Sequence, residues 1–215
     1  MLLMILILSS CQHATQKDVL LSAAQRAKSE KKYDAALNLY SQVLHNNPND
    51  FDALMDAGDV CLALGQAGES IGFFERAASL DTEFHAKQKL GKAYLLTYKS
   101  KEAQTTFQSI LKNQPNDKDA LNGLAVSYDQ QGDHKAAQKQ YHQILQQDPN
   151  DILIKSNLGL SLAFSGDYDR SLALLEPIGL ADWATKQQRH NLALAYTVAN
   201  KRDKAQSLLD ADKIL

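Results

Sequence analysis

Proline recurs in this chain at an interval that a single-core fold has no use for. Pro115 and Pro149 are 34 residues apart, and Pro48 precedes Pro115 by 67, two such intervals less one residue. Residues 118–151 show what one interval contains. Leu121, Leu124, Ala125 and Tyr128 fall at i, i+3, i+4 and i+7, one stripe of a helix. Gln131-Gly132-Asp133 breaks it, since glycine takes a turn conformation without steric cost. Ala137, Tyr141, Ile144 and Leu145 form a second stripe, which Asp148-Pro149-Asn150-Asp151 ends. Two short helices cannot bury such stripes alone; they need the same pair stacked on each side.

Copies fill the rest of the chain. Aligned on proline, repeats start near residues 17, 51, 84, 118, 152 and 186, with Asp81-Thr82 standing where the second lacks its proline. Within each, the eighth place is Gly or Ala (Ala24, Gly58, Gly91, Ala125, Gly159, Ala193) and the twentieth is Ala or Ser (Ala36, Ser70, Ala103, Ala137, Ser171, Ala205). Small residues there let the two helices approach closely. Larger ones at the twenty-fourth place, such as Tyr40, Phe74, Phe107 and Tyr141, fill the space between neighbouring pairs. This pattern resembles the tetratricopeptide repeat, W-x2-L-G-x2-Y…A-x3-F…P, over residues 17–210. The resemblance implies an all-α fold, a right-handed α-solenoid of about six repeats. The fifth repeat departs most. Pro177 should shorten or kink its second helix. Trp183, the only tryptophan, either packs the corner that follows or marks a partner contact.

The N-terminus follows a different rule. Residues 1–8, MLLMILIL, are too short to span a bilayer and have no polar face for a globular helix. Leu8-Ser9-Ser10-Cys11 resembles the lipobox of bacterial lipoproteins, although the positive n-region is missing and the apolar run is short. The alternative is an apolar N-terminus with an incidental cysteine. The resemblance implies a signal peptide over residues 1–10, cleavage before Cys11 and lipid on that residue, followed by a tether over 11–16 and the repeats over 17–215. Several acyl chains would anchor stably where one binds only marginally. Gln12 stands where an Asp would, by resemblance to enterobacterial lipoproteins, imply inner-membrane retention. The expectation is therefore an outer-membrane lipoprotein facing the periplasm.

Catalytic chemistry is not legible. The net charge of −2 lacks the basic excess of a nucleic-acid binder. His13, His45, His85, His134, His142 and His190 form no H-E-x-x-H or i, i+4 pair, so no metal or other cofactor is expected. Gly159-Leu160-Ser161-Leu162-Ala163 lacks the last glycine of a nucleophile elbow and falls within a helix. Cys61 sits in an apolar stripe as a small buried hydrophobe. Asp167 and Asp169 lie where helix capping explains them.

A partner, if bound, would meet the first helix of each repeat, which lines the concave wall of such a stack. By resemblance to tetratricopeptide repeats, that wall is built from places 2, 5, 9, 12 and 13. Those places are polar and partly acidic early (Asp18, Lys28, Asp52, Asp59) and apolar late. The expected groove residues are Leu95, Leu96, Asn122, Val126, Leu160, Phe164, Leu194 and Val198; Asp129 falls on the same wall. Alternatively, the late apolar residues face the chain's own residues 203–215 or pack between repeats. No repeat carries the Lys and Asn of a carboxylate clamp, so an amphipathic helix or strand fits better than a C-terminal carboxylate. A small-molecule substrate is not expected.

The end of the chain is similar to a more specific family. Leu172-Ala173-Leu174-Leu175-Glu176-Pro177 and Arg189-His190-Asn191-Leu192-Ala193-Leu194-Ala195-Tyr196 resemble the C-terminal part of the tetratricopeptide lipoprotein of tight-adherence (Flp-type) pilus systems. The resemblance implies a membrane-anchored scaffold assisting pilus biogenesis, a pilotin-like partner of the outer-membrane secretin, and not an enzyme. The alternative is an adaptor for cell-envelope enzymes such as those of peptidoglycan turnover.

Overall fold

The computed structural model describes residues 15–81 and 83–214. The expected signal peptide, residues 1–10, and the expected lipidation site Cys11 lie outside the described residues. The regular structure is helical: α1 (Gln16–Ser29), α2 (Tyr33–Asn46), α3 (Phe51–Ala63), α4 (Ala67–Leu80), α5 (His85–Leu96), α6 (Ser100–Leu111), α7 (Lys118–Gln130), α8 (His134–Gln147), α9 (Ile152–Phe164), α10 (Tyr168–Gly179), α11 (Lys186–Val198) and α12 (Arg202–Ile214). Odd-numbered helices open each repeat and even-numbered ones close it. This is an all-α, tetratricopeptide-type solenoid fold. Contacts divide the chain into two compact units, one ending at Leu80 and one spanning 81–215.

The turn inside each hairpin is made the same way six times. Lys31, Gly65, Tyr98, Gly132, Gly166 and Asn200 hold the fifteenth place of their repeats, and all six have positive φ. A left-handed residue there reverses the chain between the two helices. The link between hairpins has its own recurrent device. Asp50, Asp117 and Asp151 each follow Pro-Asn and cap the next helix, accepting from the N–H of Ala53, Ala120 and Ile154. A residue near the start of the preceding odd helix then reaches the capping carboxylate: Lys17 to Asp50 at 2.5 Å, Gln88 to Asp117 at 3.1 Å, and Lys118 to Asp151. Burial pushes the Asp50 and Asp151 carboxyls up. The ammonium groups of Lys17 and Lys118 and the capped N–H groups outweigh it and hold both below the usual carboxylate range. Where the proline is absent, Asp81 accepts from the N–H of Glu83 and Ala86 instead.

In the N-terminal unit, α2 packs on α1 and α3, and α4 packs on α3. Its buried core includes Ala24, Ala36, Tyr40, Leu54, Ala57, Cys61 and Phe74. Leu20 and Ala23 of α1 are half-buried beside it. In the C-terminal unit each helix packs on the next, and the odd helices also touch one another directly: α5 on α7, α7 on α9, α9 on α11. They therefore form the inner layer of that unit. Phe107 is fully buried in α6 and faces both Gly91 of α5 and Gly123 of α7. Leu175 of α10 fills the same role against Gly159. Pro177 lies in the last turn of α10, whose 12 residues equal those of the proline-free α6, so the proline ends the helix without making it shorter than its counterpart. The corner after it is closed by Ala184, 6 % exposed, whose carbonyl accepts from Arg189. Trp183 does not pack that corner; it is 60 % exposed, and nearby Leu180 is 58 % exposed.

Candidate partner-binding surface

The inner layer of the C-terminal unit brings the expected groove residues onto adjoining helices. Leu95 is half-buried against the Phe107 cluster, and its neighbour Leu96 is 61 % exposed. Asn122 and Val126 are half-buried on α7, and the Asn122 side-chain oxygen accepts from Asn157 of α9 at 3.0 Å. Leu160 of α9 and Val198 of α11 pack from two helices against one core cluster that includes Leu172, Leu192 and Tyr196. Phe164 and Leu194 stand further out, 50 % and 42 % exposed. Leu160 with Leu194, and Phe164 with Val198, hold equivalent places on helices that touch. By that register the four lie along one face of α9 and α11, an apolar stretch of the inner layer.

Asp129 belongs elsewhere. Its carboxylate accepts from the Ser161 hydroxyl at 2.6 Å and the Tyr141 hydroxyl at 3.0 Å, and lies 2.8 Å from Nδ1 of His134. Burial first, and then this carboxylate, push the Tyr141 hydroxyl far up. Asp129 therefore ties α7, α8 and α9 together. The His134 ring in turn stacks on Phe164, centroids 6.2 Å apart and planes at 21°. Residues 129, 134 and 161 are the types of a hydrolase triad in the wrong arrangement. The serine hydroxyl donates to the carboxylate and not to the imidazole, and Ser161 is 1 % exposed. Such a serine has neither an imidazole base nor access to a substrate. His134 is the wall-supporting residue that helical periodicity does not reveal. Its only sequence signal is its place directly after the Gly132-Asp133 turn, five residues from Asp129.

Two other concavities lie each within one unit. The N-terminal unit has an open groove of about 530 Å³, lined by Gln25, Lys28, Tyr33, Asp56 and Asp59. There the Lys28 ammonium sits 2.6 Å from Asp56 and 3.7 Å from Asp59, and the Tyr40 hydroxyl donates to Asp56 at 2.9 Å. The C-terminal unit has one of about 500 Å³ lined by Leu180, Tyr196, Lys204 and Leu208. There the Tyr196 hydroxyl donates to Glu176 at 2.7 Å and the Lys204 ammonium lies 5.3 Å from the Tyr196 ring centroid. Among the described residues no group of three His, Cys, Asp or Glu side chains could hold a metal ion, and no helix is long and apolar enough to cross a membrane. Cys61 is buried and not in a disulfide, and burial pushes its thiol up, away from the reactive thiolate.

Comparison with known proteins agrees with this architecture. Tetratricopeptide-repeat family profiles match residues 21–83, 96–160 and 128–188, between them most of the chain. No curated protein matches by sequence. Among solved structures, a tetratricopeptide repeat protein from Parabacteroides merdae superposes with a TM-score of 0.78 at 15 % identity, covering 91 % of this chain and 78 % of that one. MamA from Desulfovibrio magneticus RS-1 superposes at 0.68 with 19 % identity, covering 76 % and 94 %. YrrB superposes at 0.61 with 20 % identity, covering 90 % of each. The chain belongs to the tetratricopeptide-repeat family, whose stacked hairpins suit protein–protein interaction.

Proposed function

We propose that this protein is a non-catalytic, lipid-anchored scaffold of the bacterial cell envelope that holds a protein partner of a tight-adherence (Flp-type) pilus system, the outer-membrane secretin before others. The observation that carries the scaffold reading is the apolar patch of Leu160, Phe164, Leu194 and Val198 on touching inner helices, two of its members half-exposed. YrrB, similar in fold, is described as having an unusual peptide-binding site. Docking three or four apolar partner side chains there contributes roughly 5–10 kcal/mol at about 1.5–3 each. Ordering a flexible segment costs about 2–5 of that, which leaves at most about 8 kcal/mol, an affinity no tighter than about micromolar.

The pilus and membrane parts of the reading rest on sequence: the Leu8-Ser9-Ser10-Cys11 lipobox and the two C-terminal stretches around Pro177 and Tyr196. The test compares heat-resistant secretin multimers and secretin location in envelopes with and without this protein. Loss of multimers or mislocalised secretin is expected in its absence; unchanged multimers at an unchanged location would sink the pilotin role. Cys11→Ser should release the protein from membranes, and continued membrane association would remove the lipid anchor from the proposal.

A further inference from the structure

We infer that the segment seated on α9 and α11 is an uncharged, aliphatic stretch of α-helix, held by apolar burial and not by an ion pair. The inference rests on the partner-binding reading above and adds the chemistry of the partner. Three observations carry it.

The first is charge. On the inner faces of α9 and α11, none of the wall places is a carboxylate, Lys or Arg, and the patch itself is two leucines, a phenylalanine and a valine. The nearest wall carboxylate, Asp129 of α7, has its oxygens taken by Ser161, Tyr141 and His134. The next, Asp119, is ten residues earlier in α7, about 15 Å along the axis, and pairs with Lys92 at 3.4 Å. His190, one turn before Leu194, is the single titratable wall residue on these two helices and is exposed. A ligand bringing Lys, Glu or a chain terminus onto the patch would bury a charge without a counter-charge, which is strongly unfavourable.

The second is the backbone. The patch residues sit on α9 and α11, whose interior N–H and C=O groups are engaged within the helices. No strand edge exists among the described residues to receive an extended peptide. An extended segment would leave its own main-chain groups unpaired against leucine and phenylalanine, whereas a helix satisfies its own.

The third is the preset geometry. His134, fixed by Asp129, stacks on Phe164. The outermost aromatic is thus positioned before any partner arrives, which lowers the ordering required on docking.

The test uses the full chain and four labelled model peptides with blocked ends, read by fluorescence anisotropy. The first is an amphipathic helix with Leu at i, i+3, i+4 and i+7 and an uncharged polar face. The second and third replace one central Leu by Lys or by Glu, and the fourth carries a central proline. The Leu peptide is expected to bind with an affinity that changes less than about twofold between about 50 and about 500 mM salt, because no surface ion pair is there to be screened. The Lys, Glu and proline peptides are each expected to bind at least about tenfold more weakly. Phe164→Asp and Leu194→Asp, both at half-exposed sites, should abolish binding with helical circular dichroism unchanged. Equal binding of a charged or proline peptide, strong salt dependence, or no binding of the Leu peptide would overturn the inference. So would a wild-type dimer that the Phe164→Asp variant loses, since a second copy would then occupy the patch. The pilotin reading fails separately, in the secretin assay.

Discussion

Gly123 faces the ring of Phe107 with no space between them for a methyl group. The same ring meets Gly91 from the other side, where a Cβ would lie 2.5 Å from Cζ. One aromatic side chain of α6 is thus clamped between the backbones of α5 and α7, and small residues are required on both. Gly91→Ala and Gly123→Ala should each destabilise the protein by about 1–2 kcal/mol: overpacking costs about 1–3, offset in part by the better helix propensity of alanine. At Gly72 of α4 an added methyl group would meet nothing within 4 Å, so Gly72→Ala should stabilise by about 0.5–1 kcal/mol. Urea midpoints check all three, and a lower midpoint for Gly72→Ala would break the argument.

Tyr98 carries backbone strain that its glycine counterparts avoid. Its φ is +57° at a place where three of the six repeats use glycine, and its ring is 82 % exposed, so it contributes little burial in return. Left-handed backbone costs a non-glycine residue about 1–2 kcal/mol, and glycine gives back about half of that in the unfolded chain. Tyr98→Gly should therefore raise stability by about 0.5–1 kcal/mol, seen as a higher thermal midpoint. An unchanged or lower midpoint would show that the tyrosine ring contributes as much as the strain costs.

These two sites mark the limits of reading such a chain from sequence. The pattern of Leu121, Leu124, Ala125 and Tyr128 against Ala137, Tyr141 and Ile144 was enough for the fold class, because burial in stacked hairpins repeats with the helix period. Leu121, Ala125, Ala137, Tyr141 and Ile144 are all within 0–2 % exposed. The small eighth place and the large twenty-fourth were legible by size, but not that they meet within one repeat, as Gly58 does Phe74 and Gly159 does Leu175; the pattern had paired place eight with place twenty. Gly123 was not, because it clamps Phe107 from the following repeat at a place the pattern leaves unspecified. Lys31, Tyr98 and Asn200 were not, because their strained φ is dictated by the hairpin and not by their own preference. In the candidate site, counting wall places grouped Asp129 with Val126 and Phe164. Its true partners are 5, 12 and 32 residues away on two other helices, and period alone does not encode them. Trp183 was ambiguous for a related reason: it lies in the loop after α10, and a loop has no period to read.

The capping ion pairs give the protein a defined acid limit. The folded Asp50 and Asp151 carboxyls lie below their ordinary value of 3.8. A depressed folded pKa adds stability that is present above the unfolded value and is lost as pH falls through the folded one. Stability should thus hold from neutral pH to near 4 and decline below it. Asp151→Asn keeps an N-cap of comparable quality and removes only the charge that Lys118 pairs with. Its stability should be lower at pH 7 and should fall less steeply on acidification. Parallel pH profiles for wild type and variant would show that Lys118 adds nothing.

Asp129 separates the residues that hold the wall from those that would touch a partner. Asp129→Leu removes the acceptor of two hydroxyls on residues that are each 1 % exposed, Tyr141 and Ser161. Each unpaired hydroxyl costs about 1–3 kcal/mol, so the loss should be about 2–5 kcal/mol. Adding Tyr141→Phe deletes one orphan and should recover about 1–2 kcal/mol of it, a coupling that a double-mutant cycle measures directly. If Asp129 is a strut and not a contact, the double variant, folded at low temperature, should still bind the uncharged helical peptide, more weakly only to the extent that His134 no longer steadies Phe164. Full loss of binding with retained helicity would return Asp129 to the docking surface. No recovery on adding Tyr141→Phe would mean that the tyrosine hydroxyl finds another partner and that the hub is held mainly by Ser161 and His134.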